Sequence, residues 1–256
     1  MALRVGVQLH PQATSLDDLR AAWKAADQMG ADSIWLWDHF FPLYGDPDAE
    51  HYEAWTLMAA MAVETENARL GTLVTGNSYR NPELLADMAR TTDVLSGGRL
   101  YLGVGSGWFE RDYDDYGYEF GTAIGRLRQL ETDVPRMKDR LGKLNPPPLG
   151  DLPLLIGGSG EKVTLRLVAE HADAWNTFGP PDHFAAKSAV LDQWCADLGR
   201  DPREIERTVA IEGNDVEDVG RYVKAGASHV IVMIGPKFDL DPLARLIDQR
   251  GEYDET

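Results

Sequence analysis

Eight short runs of apolar or alternating residues recur along the chain. They are RVGVQL from Arg4, SIWLW from Ser33, ARLGTLV from Ala68, LYLGVG from Leu100, LPLLIGG from Leu152, AWNTF from Ala174, TVAIEG from Thr208 and HVIVMI from His229. Their length and their content of β-branched and aromatic residues predict strands. Between consecutive runs the apolar positions move to helical spacing, as at Leu16, Leu19, Trp23 and Ala26, so a helix separates each strand from the next. Ser15 with Asp18 three residues later caps the first of these helices. Asn81 followed by Pro82 opens the third, and the SGG of 96–98 closes it, the usual asymmetry of helix punctuation. A last helical segment, DPLARLIDQR, follows the eighth run. A weak repeat runs underneath: QMGADSIWLW and KAGASHVIVMI both read as helix end, Gly-Ala, polar residues, strand. Eight such units in 256 residues predict an α/β fold, a closed (β/α)8 TIM barrel spanning 1–256 as one domain; an open doubly wound sheet usually has fewer strands.

In a barrel of this kind the functional groups stand where the strands run out at their C-terminal ends. The second run delivers Asp38 and His39 there, followed by the aromatic stretch FFPLYG. The pair either caps a turn or works as an acid and base, since a His at a water-poor rim can move protons near neutral pH. The third run leads to Asn77, Tyr79 and Arg80. In the fourth, Gly103, Gly105 and Gly107 alternate; a helix does not follow at the distance a dinucleotide fingerprint needs, so close approach of backbone to a flat ligand is the better account. The fifth ends in Gly157, Gly158, Ser159 and Gly160, which lead directly into a helix with Lys162 close behind. That places free backbone N–H groups and a cation where a phosphate or carboxylate would be held, although a tight turn alone would use the same glycines.

Composition narrows the chemistry. The formal charge of −17 opposes broad contact with nucleic acid or an anionic membrane face, which leaves small neutral ligands, or anions met by a local basic patch. Cys195 is the single cysteine, so neither an intrachain disulfide nor a cysteine metal cluster can form. The six histidines show no ligand-pair spacing and no metal is expected; the absence of a Gly-x-Ser-x-Gly elbow disfavours serine hydrolysis. No 18-residue apolar segment or leader pattern appears, so a cytoplasmic protein is expected.

The stretches SIWLWDHFFPL, EAWTLMAAMAVETENARLGTLVTGNSYRNPELLADMARTTDVLSGGRLYLGVGSGWFERDYDDYG and PLLIGGSGEKVTLRLVAEHADAWN together resemble the luciferase-like flavin and deazaflavin oxidoreductases. The resemblance covers nearly the whole chain and is strongest to the actinobacterial branch that uses coenzyme F-420, an 8-hydroxy-5-deazaflavin. It implies hydride transfer between that cofactor and a small organic substrate, with flavin mononucleotide (FMN) and a monooxygenase activity as the alternative, a non-catalytic cofactor-binding barrel as another, and a homodimer as a family-based expectation. Asp38 and His39 resemble the pair beside the reactive ring edge, His39 as proton donor or acceptor and Asp38 as a group that contacts the cofactor or fixes the loop. Leu73 and Val74 occupy the place of a non-prolyl cis peptide behind the ring. Asn77 joins the expected cofactor contacts, Gly105, Ser106 and Gly107 resemble the segment lining the ring, and Gly157, Gly158, Ser159 and Gly160 with Lys162 resemble the phosphate loop, with Arg80 as a further cation for the tail. Two departures stand out. Trp108 replaces the catalytic Glu of the sugar-phosphate dehydrogenases, and a short link, Lys143 to Leu152, replaces an insertion before the fifth strand. Its three prolines, Pro146 to Pro148, are stiff, and a wide pocket mouth is expected from it.

Overall fold

A computed structural model describes residues 2–253. All eight predicted strands form: β1 (Arg4–Leu9), β2 (Ser33–Asp38), β3 (Arg69–Gly76), β4 (Leu100–Gly105), β5 (Leu154–Gly157), β6 (Ala174–Thr177), β7 (Glu206–Glu212) and β8 (His229–Ile234). They close into a parallel barrel in chain order, with β8 paired to β1. Around it lie α1 (Leu16–Met29), α2 (Ala54–Glu64), α3 (Pro82–Leu95), α4 (Glu110–Tyr116), α5 (Ala123–Leu141), α6 (Thr164–His171), α7 (Pro181–Leu198), α8 (Val219–Lys224) and α9 (Asp241–Gln249). The punctuation holds: Ser15 accepts from the Asp18 N–H and Asn81 from the Leu84 N–H. Both repeats end their helices on a left-handed glycine, Gly30 at φ 88° and Gly226 at φ 98°.

Period-two alternation sorts the strand side chains into two layers. Val5, Val7, Ile34, Leu36, Leu102, Val230 and Val232 face the helices in one large apolar cluster. Trp35, Leu73, Tyr101, Leu155, Ala174, Ala210 and Ile231 fill the barrel. Each buried aliphatic or aromatic side chain contributes about 1.5–3 kcal/mol, so the first layer supplies most of the driving force and the second decides what space remains inside.

The N-terminal end of the barrel is plugged by polar groups. His229 Nε2 lies 2.8 Å from Ser33 Oγ and its Nδ1 3.0 Å from Glu206, which also accepts from Tyr101 at 2.7 Å and from Arg4. Burial alone would raise the Glu206 carboxyl, but His229, Tyr101 and Arg4 hold it at about 2. The order Ser–His–Glu matches that of a hydrolytic triad, yet Ser33 is completely buried and its oxygen already accepts from Trp35; this is a sealed floor.

The other end is shaped by one extra residue in β3. Against β2, Leu36 pairs with Thr72 and Asp38 with Thr75; against β4, Tyr101 pairs with Gly71 and Val104 with Thr75. Both neighbours therefore see a bulge between Thr72 and Thr75, and it contains the expected cis peptide, Leu73–Val74. The fourth-strand glycines serve this bulge. A Cβ on Gly103 would fall 1.8 Å from the Thr72 carbonyl oxygen, and one on Gly105 would fall 2.7 Å from Val74 Cγ2. Close approach is thus the right reason for both, but the approaching group is the neighbouring strand rather than a ligand.

The link Lys143 to Leu152 does not bear on the pocket mouth. Its Leu149 and Gly150 N–H groups donate to Asp93 at the end of α3, at 2.7 and 2.9 Å, and Arg90 reaches the Pro146 carbonyl. It crosses beneath the start of β4, because a connection from helix to strand returns to the N-terminal end of a barrel. The chain that does border the cavity is the start of the segment between β4 and α5, Ser106 to Trp108, just before α4.

Candidate active site

A cavity of about 550 Å³ opens at the C-terminal ends of the strands, within the size range of small-molecule sites. Its wall includes Gln8, Trp37, His39, Leu43, Leu73, Val74, Gly76, Tyr79, Trp108, Asn176, Phe178 and Met233, with the backbone of Gly105 to Gly107 and of Gly157 and Gly158. Val74 is wedged against Gly105 and Gly157, where a Cβ would come within 2.7 and 2.9 Å of its methyl groups. Gln8 fixes the bulge by donating to the Leu73 carbonyl at 2.7 Å. The product is a flat, uncharged shelf, suited to the planar face of an aromatic ring and backed by a strand that cannot yield.

His39 is the one imidazole that borders the cavity. Its Nδ1 lies 2.6 Å from Asp112 Oδ2, and Trp108 and Phe109 meet the imidazole edge-on with centroids at 5.8 and 5.6 Å. Asp112 is completely buried and also accepts from the Phe40 N–H at 2.9 Å and the Tyr79 hydroxyl at 2.6 Å. Burial, and then the Asp112 carboxylate, push the Tyr79 phenol up, so it remains a donor. A carboxylate can only accept. The neutral imidazole therefore carries its proton on Nδ1, and Nε2 is left to take or give a proton.

Asp38 turns the other way. It is completely buried, does not border the cavity, and faces Arg80 at 2.5 and 3.2 Å, with Arg80 continuing to Glu53 at 2.6 Å. Burial pushes its carboxyl up and the guanidinium opposes this. Of its two expected roles, contact with the cofactor does not fit this placement, whereas fixing the loop after β3 through Arg80 does. Arg80 for its part is committed to two carboxylates and is not available to a cofactor tail.

Other predicted residues divide in the same way. Leu73, Val74, Gly105, Ser106, Gly107, Gly157 and Gly158 border the cavity; Asn77, Ser159, Gly160 and Lys162 do not. Asn77 is buried with its amide nitrogen on Asp133 at 2.9 Å, held behind the wall by α5. The Gly158 N–H is taken by the Asn176 carbonyl at 2.9 Å. The loop also does not enter its helix directly, since α6 starts only at Thr164; Lys162 sits exposed in the intervening turn. Sequence reasoning missed Gln8 and Asn176, although each is the polar residue near the end of a buried strand. It also missed Asp112, which reads in sequence as an acidic residue suited to a helix N-terminus. Among the described residues no group of three or more His, Cys, Asp or Glu side chains is placed to hold a metal ion, and no helix is long and apolar enough to cross a membrane.

Trp37, in the cavity wall, lies between two further histidines. His10 stacks on it at 4.0 Å and also contacts the Tyr44 hydroxyl at 2.5 Å; His51 Nε2 accepts from its indole N–H at 3.1 Å. Burial lowers His10 to about 4, and burial followed by the charge of His39 lowers His51 to about 4. The folded-state value lies below the ordinary 6.5, so this stabilisation is complete above about pH 6.5 and is lost as the pH falls toward 4. For His10 the loss is at most about 3 kcal/mol. Melting curves from pH 7 to 4 should show it, and His10→Phe, which keeps the stack, should be less sensitive to acid. Equal acid sensitivity in the two proteins would refute the assignment.

Comparison with known proteins adds three findings. The family described as luciferase-like monooxygenase matches residues 1–213. The phthiodiolone/phenolphthiodiolone dimycocerosates ketoreductase of Mycobacterium tuberculosis is 29% identical over 241 residues, covering 78% of this chain and 62% of that protein. The 5,10-methylenetetrahydromethanopterin reductase of Archaeoglobus fulgidus is 29% identical over 222 residues, covering 82% and 63%. The chain thus spans somewhat under two thirds of the length of these relatives. Among solved structures, an F-420-dependent secondary alcohol dehydrogenase with an F-420–acetone adduct superposes with a TM-score of 0.85 at 18% identity, covering 97% of this chain and 98% of the other. The coenzyme F-420-dependent tetrahydromethanopterin reductase of Methanopyrus kandleri gives 0.78 at 16% identity, covering 96% and 97%. At these identities the superpositions establish a shared fold.

Proposed function

The chain belongs to the luciferase-like monooxygenase family, and from that premise we propose that it is an oxidoreductase moving hydride between coenzyme F-420 and a small organic substrate. The observation that carries this reading is one cavity holding both a flat uncharged shelf, made by Val74, Gly105 and Gly157, and one imidazole whose Nδ1 is already held. The relatives named above, a ketoreductase and a methylenetetrahydromethanopterin reductase, support the reaction class. When bound, the reduced deazaflavin supplies a hydride with its two electrons to an electrophilic carbon, and the oxygen or nitrogen attached to that carbon then needs a proton. In that direction His39 starts as the imidazolium, its charge balanced by Asp112, gives the Nε2 proton and is left as the neutral Nδ1–H ring; in the reverse direction Nε2 of the neutral ring takes the proton and Asp112 balances the charge that results. Leu73, Val74 and Gly105 to Gly107 would hold the ring; with the Gly158 N–H taken by Asn176, the turn of Ser159 and Gly160 with the exposed Lys162, beyond the cavity, would hold the tail phosphate. Asp38, through Arg80, positions the loop that carries Tyr79.

Fluorescence titration tests the cofactor. Deazaflavin should bind at least about tenfold tighter than FMN, and added salt should weaken it by screening Lys162 at the exposed loop. Equal or tighter binding of FMN would overturn the choice of deazaflavin. The reading includes a cytoplasmic homodimer. Its support is α2, uncharged from Ala54 to Val63, together with the exposed Val63, Leu84 and Leu95 on α2 and α3. A sedimenting species of 28.4 kDa at micromolar concentration would refute the dimer.

A further inference from the structure

We propose that Arg126 is a positioning residue for the hydride transfer. By holding the carbonyls of Gly107 and Phe120 in one guanidinium fork, it fixes the segment 106–121, which brings Asp112 to His39 and the Gly107 backbone to the cavity. The inference rests on the redox reading above and adds a residue that stands outside the cavity wall.

The arginine stands where the pattern calls for an apolar residue. Leu130, Val134 and Met137 follow it on α5 at helical spacing and are buried in the core, so Arg126 opens the inward stripe of its helix. It is itself only 8% exposed, a burial that a charged side chain reaches only with partners. Among the described residues none of those partners is a carboxylate. Nε donates to the Gly107 carbonyl at 3.1 Å and a terminal nitrogen to the Phe120 carbonyl at 2.7 Å. The guanidinium also lies over the Phe120 ring at 3.8 Å and beside the Tyr113 ring at 5.9 Å, where the aromatic faces attract a cation. Every one of these contacts is with the segment 106–121.

The segment needs such a fastening. Its one helix, α4, has seven residues, and stretches with little regular structure open locally unless they are packed or bonded down. Among the described residues the other side-chain hydrogen bonds that leave it reach further loops: Asp112 to His39 and Phe40 after β2 and to Tyr79 after β3, and Arg111 to Pro47 and Asp48. Arg126 ties it instead to a long helix of the barrel wall. The two donors belong to one rigid plane, so they set the separation of two carbonyls at opposite ends of the segment. An ammonium of the same charge is a point donor and cannot do this. Without the fork the ends part, and Asp112 spends part of its time away from His39.

Proton exchange followed by NMR on the cofactor-free protein tests this. In Arg126→Met, which keeps an unbranched apolar stem, the His39 Nδ1 proton should exchange with water at least about tenfold faster than in the native protein. The Trp35 indole proton, bonded to Ser33 at the other end of the barrel, reports general loosening and should stay within about twofold of its native rate. Arg126→Lys should show the same contrast, since it keeps the charge and loses the fork. Turnover with deazaflavin should fall about ten- to a hundredfold in both variants. An unchanged His39 rate in either variant, or equal acceleration at His39 and Trp35, would overturn the proposal. Should Arg126→Met not fold, the two rates in Arg126→Lys decide alone. A native protein that does not take up deazaflavin would sink the redox reading, whereas the exchange contrast, read without cofactor, still reports on the fork.

Discussion

Replacing His39 by alanine is expected to lower turnover with deazaflavin at least about a hundredfold while leaving cofactor affinity within a few-fold of wild type. Hydride transfer to a carbonyl leaves charge on oxygen, and a positioned imidazole that neutralises it is typically worth roughly 10²–10⁴ in rate. The same ring adds little to holding a cofactor whose shelf is Val74 and the glycine backbone around it. A stopped-flow trace and a fluorescence titration on one preparation separate the two effects. Wild-type turnover in the variant would remove the role assigned to His39.

The second large effect is expected from Asp112→Asn, and it follows from counting donors. Asp112 Oδ1 accepts from the Phe40 backbone N–H, while Oδ2 accepts from both His39 and Tyr79. An asparagine has one oxygen and one NH2 group. The Phe40 N–H cannot rotate, so the oxygen must stay with it and the NH2 must face His39 and Tyr79. Tyr79 can turn its hydroxyl to accept, but His39 can accept only by giving up its Nδ1 proton, which moves the neutral imidazole to the Nε2–H tautomer. Turnover should fall about ten- to a thousandfold with cofactor affinity retained, since the imidazole loses its carboxylate partner and presents the wrong nitrogen. Nitrogen-15 NMR of His39 distinguishes this from a general loosening, which would leave the tautomer unchanged. An Nδ1–H tautomer persisting in Asp112→Asn would contradict the account.

Most of the fold is legible in the sequence because it depends on local patterns. Alternation marks the strands, helical spacing marks what lies between, and Ser15, Asn81 and Pro82 act over three or four residues. His39 was legible for the same reason, as the residue just beyond a buried strand. What escapes notice depends on pairing over long range. Nothing near Asp112 announces that it will meet a histidine 73 positions earlier. Arg80 reads as a free cation until β2 brings Asp38 beside it. The stiffness of the link from Lys143 is local information, but the end of the barrel it crosses is not; that follows from connectivity. The sequence shows that the fourth-strand glycines meet a close neighbour but not which one, because the adjacent bulge is a matter of register, and register appears only when strands are paired.

That bulge ties four places in the chain into one heritable unit. A larger residue at Gly103, Gly105 or Gly157 collides with Thr72 or Val74, while straightening β3 would leave holes beside all three. No one of these three glycines can therefore take a side chain unless β3 moves with it. The shelf resists substitution, whereas Trp108 and Phe178, exposed at the edge of the cavity, can be exchanged one at a time. Divergence in what the barrel accepts should accumulate at the rim, with the shelf inherited whole.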